Sequence, residues 1–242
     1  LLDFAGFDKP SFHMFKTLWD DEPHVHITTQ TLEKSIYEPA PDGSLAAKDK
    51  WDERTWFWHD VNRHWNYDGG DVAVEVLTNC DAVELFLNGA SLGTQRLADN
   101  PDHILKWRVP FAAGELEARG SCDASDHLRT AGKPSEIVVL SDRDILPADG
   151  YSVAHIEIQV VDEAGNPVRH SETEIEFDVP ASLEVLGVDN GVTAEMDRYQ
   201  ATKLTTHDGR ALLIVRALNQ DVAQIVVRAA GVESATIDLP VR

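Results

Sequence analysis

Two periods organise the hydrophobic positions of this chain. Over residues 8–19 apolar side chains recur at helical spacing, with Phe12, Phe15, Leu18 and Trp19 on one face. Asp8 stands where a cap belongs, and Pro10 falls in the first turn, where its missing N–H costs nothing; Glu22-Pro23 ends the pattern. His24–Ile27 reads as the start of a strand, and the polar run EPAPDGSLAAKDK as a loop. From about residue 67 the period becomes two. In DVAVEVLTN, Val72, Val74 and Val76 alternate with Ala73, Glu75 and Leu77. VELFLNGASLG sets Asn88-Gly89 between apolar alternations, as a tight primed hairpin turn requires. LKWRVP turns Leu105, Trp107 and Val109 one way and Lys106 and Arg108 the other, and GELEARG adds a further short strand.

A second series begins near Pro134. EIVVLSD, SVAHIEIQVVD, TEIEFDV, LEVLGVD, ALLIVRAL, QIVVRAAG and ATIDLPV are seven candidate strands separated by turns such as AGNP, DNG and HDG, the strand number of an immunoglobulin-like sandwich. No amphipathic helix interrupts them. The fold class is therefore all-β: two immunoglobulin-like β-sandwich domains in tandem, the first over residues 23–134 with a Trp-rich insert at about 28–66, the second over residues 135–242.

Composition narrows the function classes. A net charge of −21 repels phosphate backbones and anionic lipids, so neither nucleic acid nor a membrane is an expected partner. No run of about 18 apolar residues is present to span a bilayer. The opening LLDFAGFDKPSF has no initiator Met, basic n-region or signal-peptide core, and reads as the interior of a longer polypeptide. Bacterial cytoplasm, periplasm and secretion all stay open. Cys80 and Cys122 lack metal-site spacing and are too few for a disulfide scaffold, so they read as free, partly buried thiols.

The chain carries no Gly-rich phosphate loop, nucleophile elbow or H-E-x-x-H, and none of its many carboxylates is marked as a catalytic pair. No catalytic residue and no cofactor is expected. The aspartates of SDRDILPADG (Asp142, Asp144 and Asp149) miss the calcium-loop spacing, and the loop histidines His59 and His64 lack a third ligand, so no metal site is expected either.

One stretch stands apart. WDERTWFWHDVNRHWNYDGG holds Trp51, Trp56, Trp58 and Trp65, four of the six tryptophans of the chain. Such rings either pack a long insert against its sandwich or expose a face on which a sugar can stack. Trp58 and Trp65 are the members expected to reach a substrate cleft if the second use applies.

LTNCDAVELFLNGASLG, LKWRVPFAAGELEARG, TAGKPSEIVVLSDRDILPADG and IEIQVVDEAGNPV, in that order, resemble the C-terminal β-sandwiches of glycoside hydrolase family 2, the β-galactosidase and β-glucuronidase type. LDFAGFDKPSFHMFKTLW looks like the last helix of that family's (β/α)8 barrel, and HWNYDGGDVAVEV like its HWNW-type entry to the sandwiches. The resemblance implies that residues 1–22 are a short helical remnant closing a catalytic barrel. It implies also a retaining glycosidase whose two glutamates lie upstream of Leu1, so that this chain alone is inactive. Trp19 matches a family tryptophan that lines the sugar subsite. The expected partners are the upstream barrel and, through it, a carbohydrate. A non-catalytic carbohydrate-binding or cell-surface adhesion module is the alternative.

Overall fold

The computed structural model describes residues 1–48, 61–192, 199–220 and 222–242. Two compact units divide the chain. One comprises Leu1 and Asp8–Thr130, the other Leu2–Phe7 and Ala131–Arg242.

The first unit opens with helix α1 (Pro10–Trp19). Pro10 occupies its first turn, but Lys9 is the N-cap residue and no side chain caps it, so the capping role expected of Asp8 is not filled. The strands that follow are β1 (Val25–Thr31), β2 (Tyr37–Pro39), β3 (Leu45–Ala47), β4 (Asp71–Thr78), β5 (Ala82–Leu87), β6 (Ala90–Arg96), β7 (Ile104–Pro110), β8 (Glu115–Gly120) and β9 (Ser125–Arg129). A three-stranded sheet in the order β1-β4-β7 faces a four-stranded sheet in the order β6-β5-β8-β9. Alternation decides the faces. Val72, Val74 and Val76 of β4 and Leu105, Trp107 and Val109 of β7 meet Val83 and Leu85 of β5 and Leu116 and Ala118 of β8 in one core. Asn88 and Gly89 both take positive φ, 51° and 79°, as the hairpin between β5 and β6 demands.

The run predicted as a loop forms a hairpin instead, β2 pairing antiparallel with β3. Its prolines do not prevent this, because Pro39 is the last residue of β2 and Pro41 lies in the turn that Asp42 closes by accepting the Ser44 N–H at 3.0 Å. Glu75, on the face of β4 opposite the core, is buried; the Thr28 hydroxyl donates to it at 3.4 Å and Tyr37 of β2 is its hydrogen-bond partner.

The thiols expected to be free are joined. Cys80 and Cys122 form a disulfide with Cα atoms 5.2 Å apart. Cys80 precedes β5 and Cys122 follows β8, and these strands pair with Val83 opposite Gly120, so continuing the ladder by two to three residues makes the cysteines diagonal neighbours. Gly120 is required there, since a Cβ would run into the Cys80 sulfur.

The second unit contains β10 (Glu136–Ser141), β11 (Val153–Val161), β12 (Glu174–Asp178), β13 (Leu183–Asp189), β14 (Lys203–Thr205), β15 (Arg210–Ala217), β16 (Val222–Ala229) and β17 (Val232–Pro240). The three-residue β14 was not foreseen; it is too short for period-two alternation to register. The order is β13-β15-β11-β10-β17-β16-β12-β14, with β10 and β17 joined by a parallel pairing at Glu136 and Glu233. That junction divides the strands into two layers, whose inward residues (Ile156, Ile158, Leu213 and Val215 against Ile175, Phe177, Ile225 and Val227) share one core. Buried Asp162 accepts N–H groups from Gly132, Ala164 and Asn166 at 2.7–3.0 Å, pinning the turn after β11.

Candidate functional site

The three tryptophans singled out for sugar contact have different fates. Trp58 lies outside the described residues, as do Trp51, Trp56 and His59. Trp65 is fully buried in the core of the first unit. Its indole N–H donates to the Ala112 carbonyl at 2.9 Å, and Phe111 and Tyr67 pack on it with ring centroids 5.3 and 6.0 Å away. With neither ring face exposed, Trp65 offers no surface to a sugar; it is a core residue. The preceding turn explains the enclosure. The Thr29 hydroxyl donates to the His64 carbonyl at 2.8 Å and accepts the Tyr67 hydroxyl at 2.7 Å, so the HWNY segment is bolted to β1 and its indole is driven inward.

Trp19 is the reverse case. It ends α1 with 76% of its surface exposed, and Phe15 lies against it at 4.5 Å between centroids. Phe15 and Leu18 are exposed at 38% and 46%, while Thr17 is the buried residue of the helix. The apolar face read from the sequence exists, and within the described residues it is turned outward rather than into a core.

A third cluster was missed. His13 of α1 lies beside His24 and His26 at the start of β1, with one nitrogen from each within 4.8 Å of the others. His13 Nδ1 is 3.2 Å from His24 Nε2, and the His13 ring stacks on His26 with centroids 3.4 Å apart. Next to them Arg63 forks onto Asp126 at 2.7 and 2.8 Å and also donates to the Ile27 carbonyl at 2.9 Å. Burial, the adjacent His24 and the Arg63 guanidinium push His13 down to about 4, against the pull of Asp126. His24 is lowered too, by burial and by Lys16. The signal was half present in the sequence: H-V-H at strand spacing puts two imidazoles on one face. The third arrives only through packing of the helix.

Among the acidic residues read against a calcium loop, Asp149 accepts the N–H groups of Tyr151 and Ser152 at 2.9 and 2.7 Å, and Asp142 pairs with His155 at 2.9 Å. Asp149 closes a local turn, and Asp142 ties the end of β10 to β11. No helix among the described residues is long and apolar enough to cross a membrane.

Residues 137–238 match the family described as glycoside hydrolase family 2 C-terminal domain 5, and residues 69–124 match a domain of unknown function, DUF4982. Residues 137–238 are thus similar to a C-terminal domain of glycoside hydrolase family 2. A solved structure of a family 2 member from Bacteroides cellulosilyticus superposes with a TM-score of 0.85 at 29% identity, covering 100% of this chain and 31% of that one. A β-glycosidase structure from Bacteroides vulgatus gives 0.79 at 26% identity, over 99% of this chain and 27% of that one. Among curated relatives, Beta-galactosidase BoGH2A of Bacteroides ovatus is 28% identical over 222 residues, 89% of this chain and 22% of the relative. A putative beta-glucuronidase of Formosa agariphila is 25% identical over 251 residues, 95% of this chain and 20% of the relative. The chain thus spans about a fifth of the length of these curated relatives.

Proposed function

We propose that this region is the accessory C-terminal part of a retaining, β-galactosidase-like glycosidase that hydrolyses O-glycosidic bonds, and that it buttresses the catalytic barrel while Trp19 borders the substrate cleft. The outward apolar face of α1 carries the proposal. Phe15, Leu18 and Trp19 form a strip of large side chains on a ten-residue helix that spends little of its apolar surface on its own unit. A helix of that length is marginal in water without a surface to pack on, and a barrel edge supplies one. Trp19, at the end of the strip and most exposed, keeps a ring face for stacking on a pyranose. The sandwiches themselves act as rigid supports, and hydrolysis belongs to carboxylates on the barrel.

The test uses the full-length enzyme with nitrophenyl β-galactoside and β-glucuronide. Trp19→Ala lowers kcat/KM by about tenfold, the equivalent of ~1.4 kcal/mol of transition-state binding, with the melting temperature unchanged. Leu18→Asp lowers the melting temperature of the full-length enzyme and leaves that of the isolated chain alone. The isolated chain turns over neither substrate. If both variants match the parent enzyme in both quantities, or if the pure chain hydrolyses either glycoside, the proposal fails.

A further inference from the structure

We propose that His13, His24 and His26 form a binding site for a first-row divalent metal ion of the zinc or nickel class, which clasps helix α1 to strand β1. Two neighbouring elements supply the ligands, one from the helix and two from alternate positions of the strand entry, so a bound ion would cross-link them. The spacing suits the chemistry. Nitrogens bound to zinc at about 2.0–2.1 Å stand roughly 3.3–3.4 Å apart at the corners of a tetrahedron, and His13 Nδ1 and His24 Nε2 are already 3.2 Å apart. All three nitrogens fall within 4.8 Å, so shifts of at most about 1.5 Å complete the triangle.

The rings presently stack, His13 on His26 with planes 12° apart, and stacked imidazoles aim their lone pairs side by side rather than at one point. Loading therefore rotates His13 about its side-chain bonds. That motion is open to it, because His13 is half-buried on the helix flank whereas His26 is enclosed. Neutral imidazole is the ligating form. Three nitrogen donors favour zinc, nickel or copper and disfavour calcium and magnesium, which take oxygen. Arg63 and Lys16 oppose the added charge and Asp126 supports it.

The experiment takes the untagged full-length enzyme, stripped with a chelator, and titrates zinc chloride and nickel chloride calorimetrically, with calcium and magnesium chloride as controls. One equivalent of zinc or nickel binds, the melting temperature rises, and calcium and magnesium do neither. His13→Phe and His24→Phe keep ring volume while removing a ligand. Each retains the far-ultraviolet circular dichroism of the parent and weakens zinc binding by about tenfold or more. His207→Ala, an exposed histidine of the second unit, binds as the parent does. Absence of saturable zinc and nickel uptake by the folded parent enzyme overturns the proposal, and so does undiminished uptake by His13→Phe.

Discussion

Replacing Cys80 and Cys122 together by alanine puts the strongest demand on the structure, because a bridge there was not expected from the chain's composition. The two residues are 42 apart in sequence, and the loop they close contains β5, β6, β7 and β8, most of the first sandwich. In the chain-entropy treatment a closed loop of that length removes about 4 kcal/mol of freedom from the unfolded ensemble. The alanines lose little else, since the surrounding core is held by valines and leucines on both sheets. Intrinsic fluorescence isolates the effect: all six tryptophans lie before residue 108, so emission reports the first unit alone. With urea slopes of about 1–3 kcal/mol/M, the midpoint of the fluorescence transition falls by roughly 2 M in the double variant. The far-ultraviolet signal of the second unit keeps its midpoint. Alkylation in denaturant without reductant labels neither cysteine, and labels both after reduction. Two alkylated cysteines in unreduced protein, or a fluorescence midpoint common to parent and variant, would refute the reasoning. A bridge that persists in the cell also requires an oxidising compartment, which favours periplasm or secretion among the compartments left open by the sequence.

Two further expectations concern single residues. Trp65→Ala leaves a void in the first core and costs about 3–5 kcal/mol, while Trp65→Phe keeps most of the ring but strands the Ala112 carbonyl and costs about 1–3 kcal/mol; fluorescence-monitored unfolding reads both, and a kcat/KM loss in full-length enzyme at unchanged stability would restore a sugar-contact role. Burial pushes the Asp162 carboxyl up, but the donors from Gly132, Asn166 and Ala164 outweigh it and hold it below the usual carboxylate range. The stability this confers is complete above about pH 4 and is lost as pH falls through the lowered value; a plot of melting temperature against pH from 6 to 2.5 is therefore flatter for Asp162→Asn than for the parent, and equal slopes would contradict the assignment.

Local period made the strands legible. Val72, Val74 and Val76 announce β4 because each buries on the same face, and Asn88-Gly89 announces its hairpin because few other residues accept two successive positive φ angles. The same reasoning passed over β2, β3 and β14, each of three residues, and the five-residue β9. In three-residue pieces, pairing is decided by a partner strand and not by alternation, and β9 buries only Leu128, so its alternation has almost no apolar signal.

What the sequence withheld is consistent in kind. Phe12, Phe15, Leu18 and Trp19 show that α1 has an apolar face, but periodicity names the face and not what covers it. Trp65 and Trp19 look alike as polar-flanked tryptophans, yet Thr29 fastens the neighbours of one so that it turns inward, while the other ends a helix in the open. His13 comes within reach of His24 and His26 only because α1 packs beside the start of β1. The cysteines are the plainest instance. Residues 80 and 122 carry no motif, and spacing alone gives no reason to join them. Once Val83 stands opposite Gly120, the antiparallel ladder places residue 80 opposite residue 123 and residue 81 opposite residue 122, so the two sulfurs become neighbours by continuation. Strand register, and not distance along the chain, decides which side chains can react with one another.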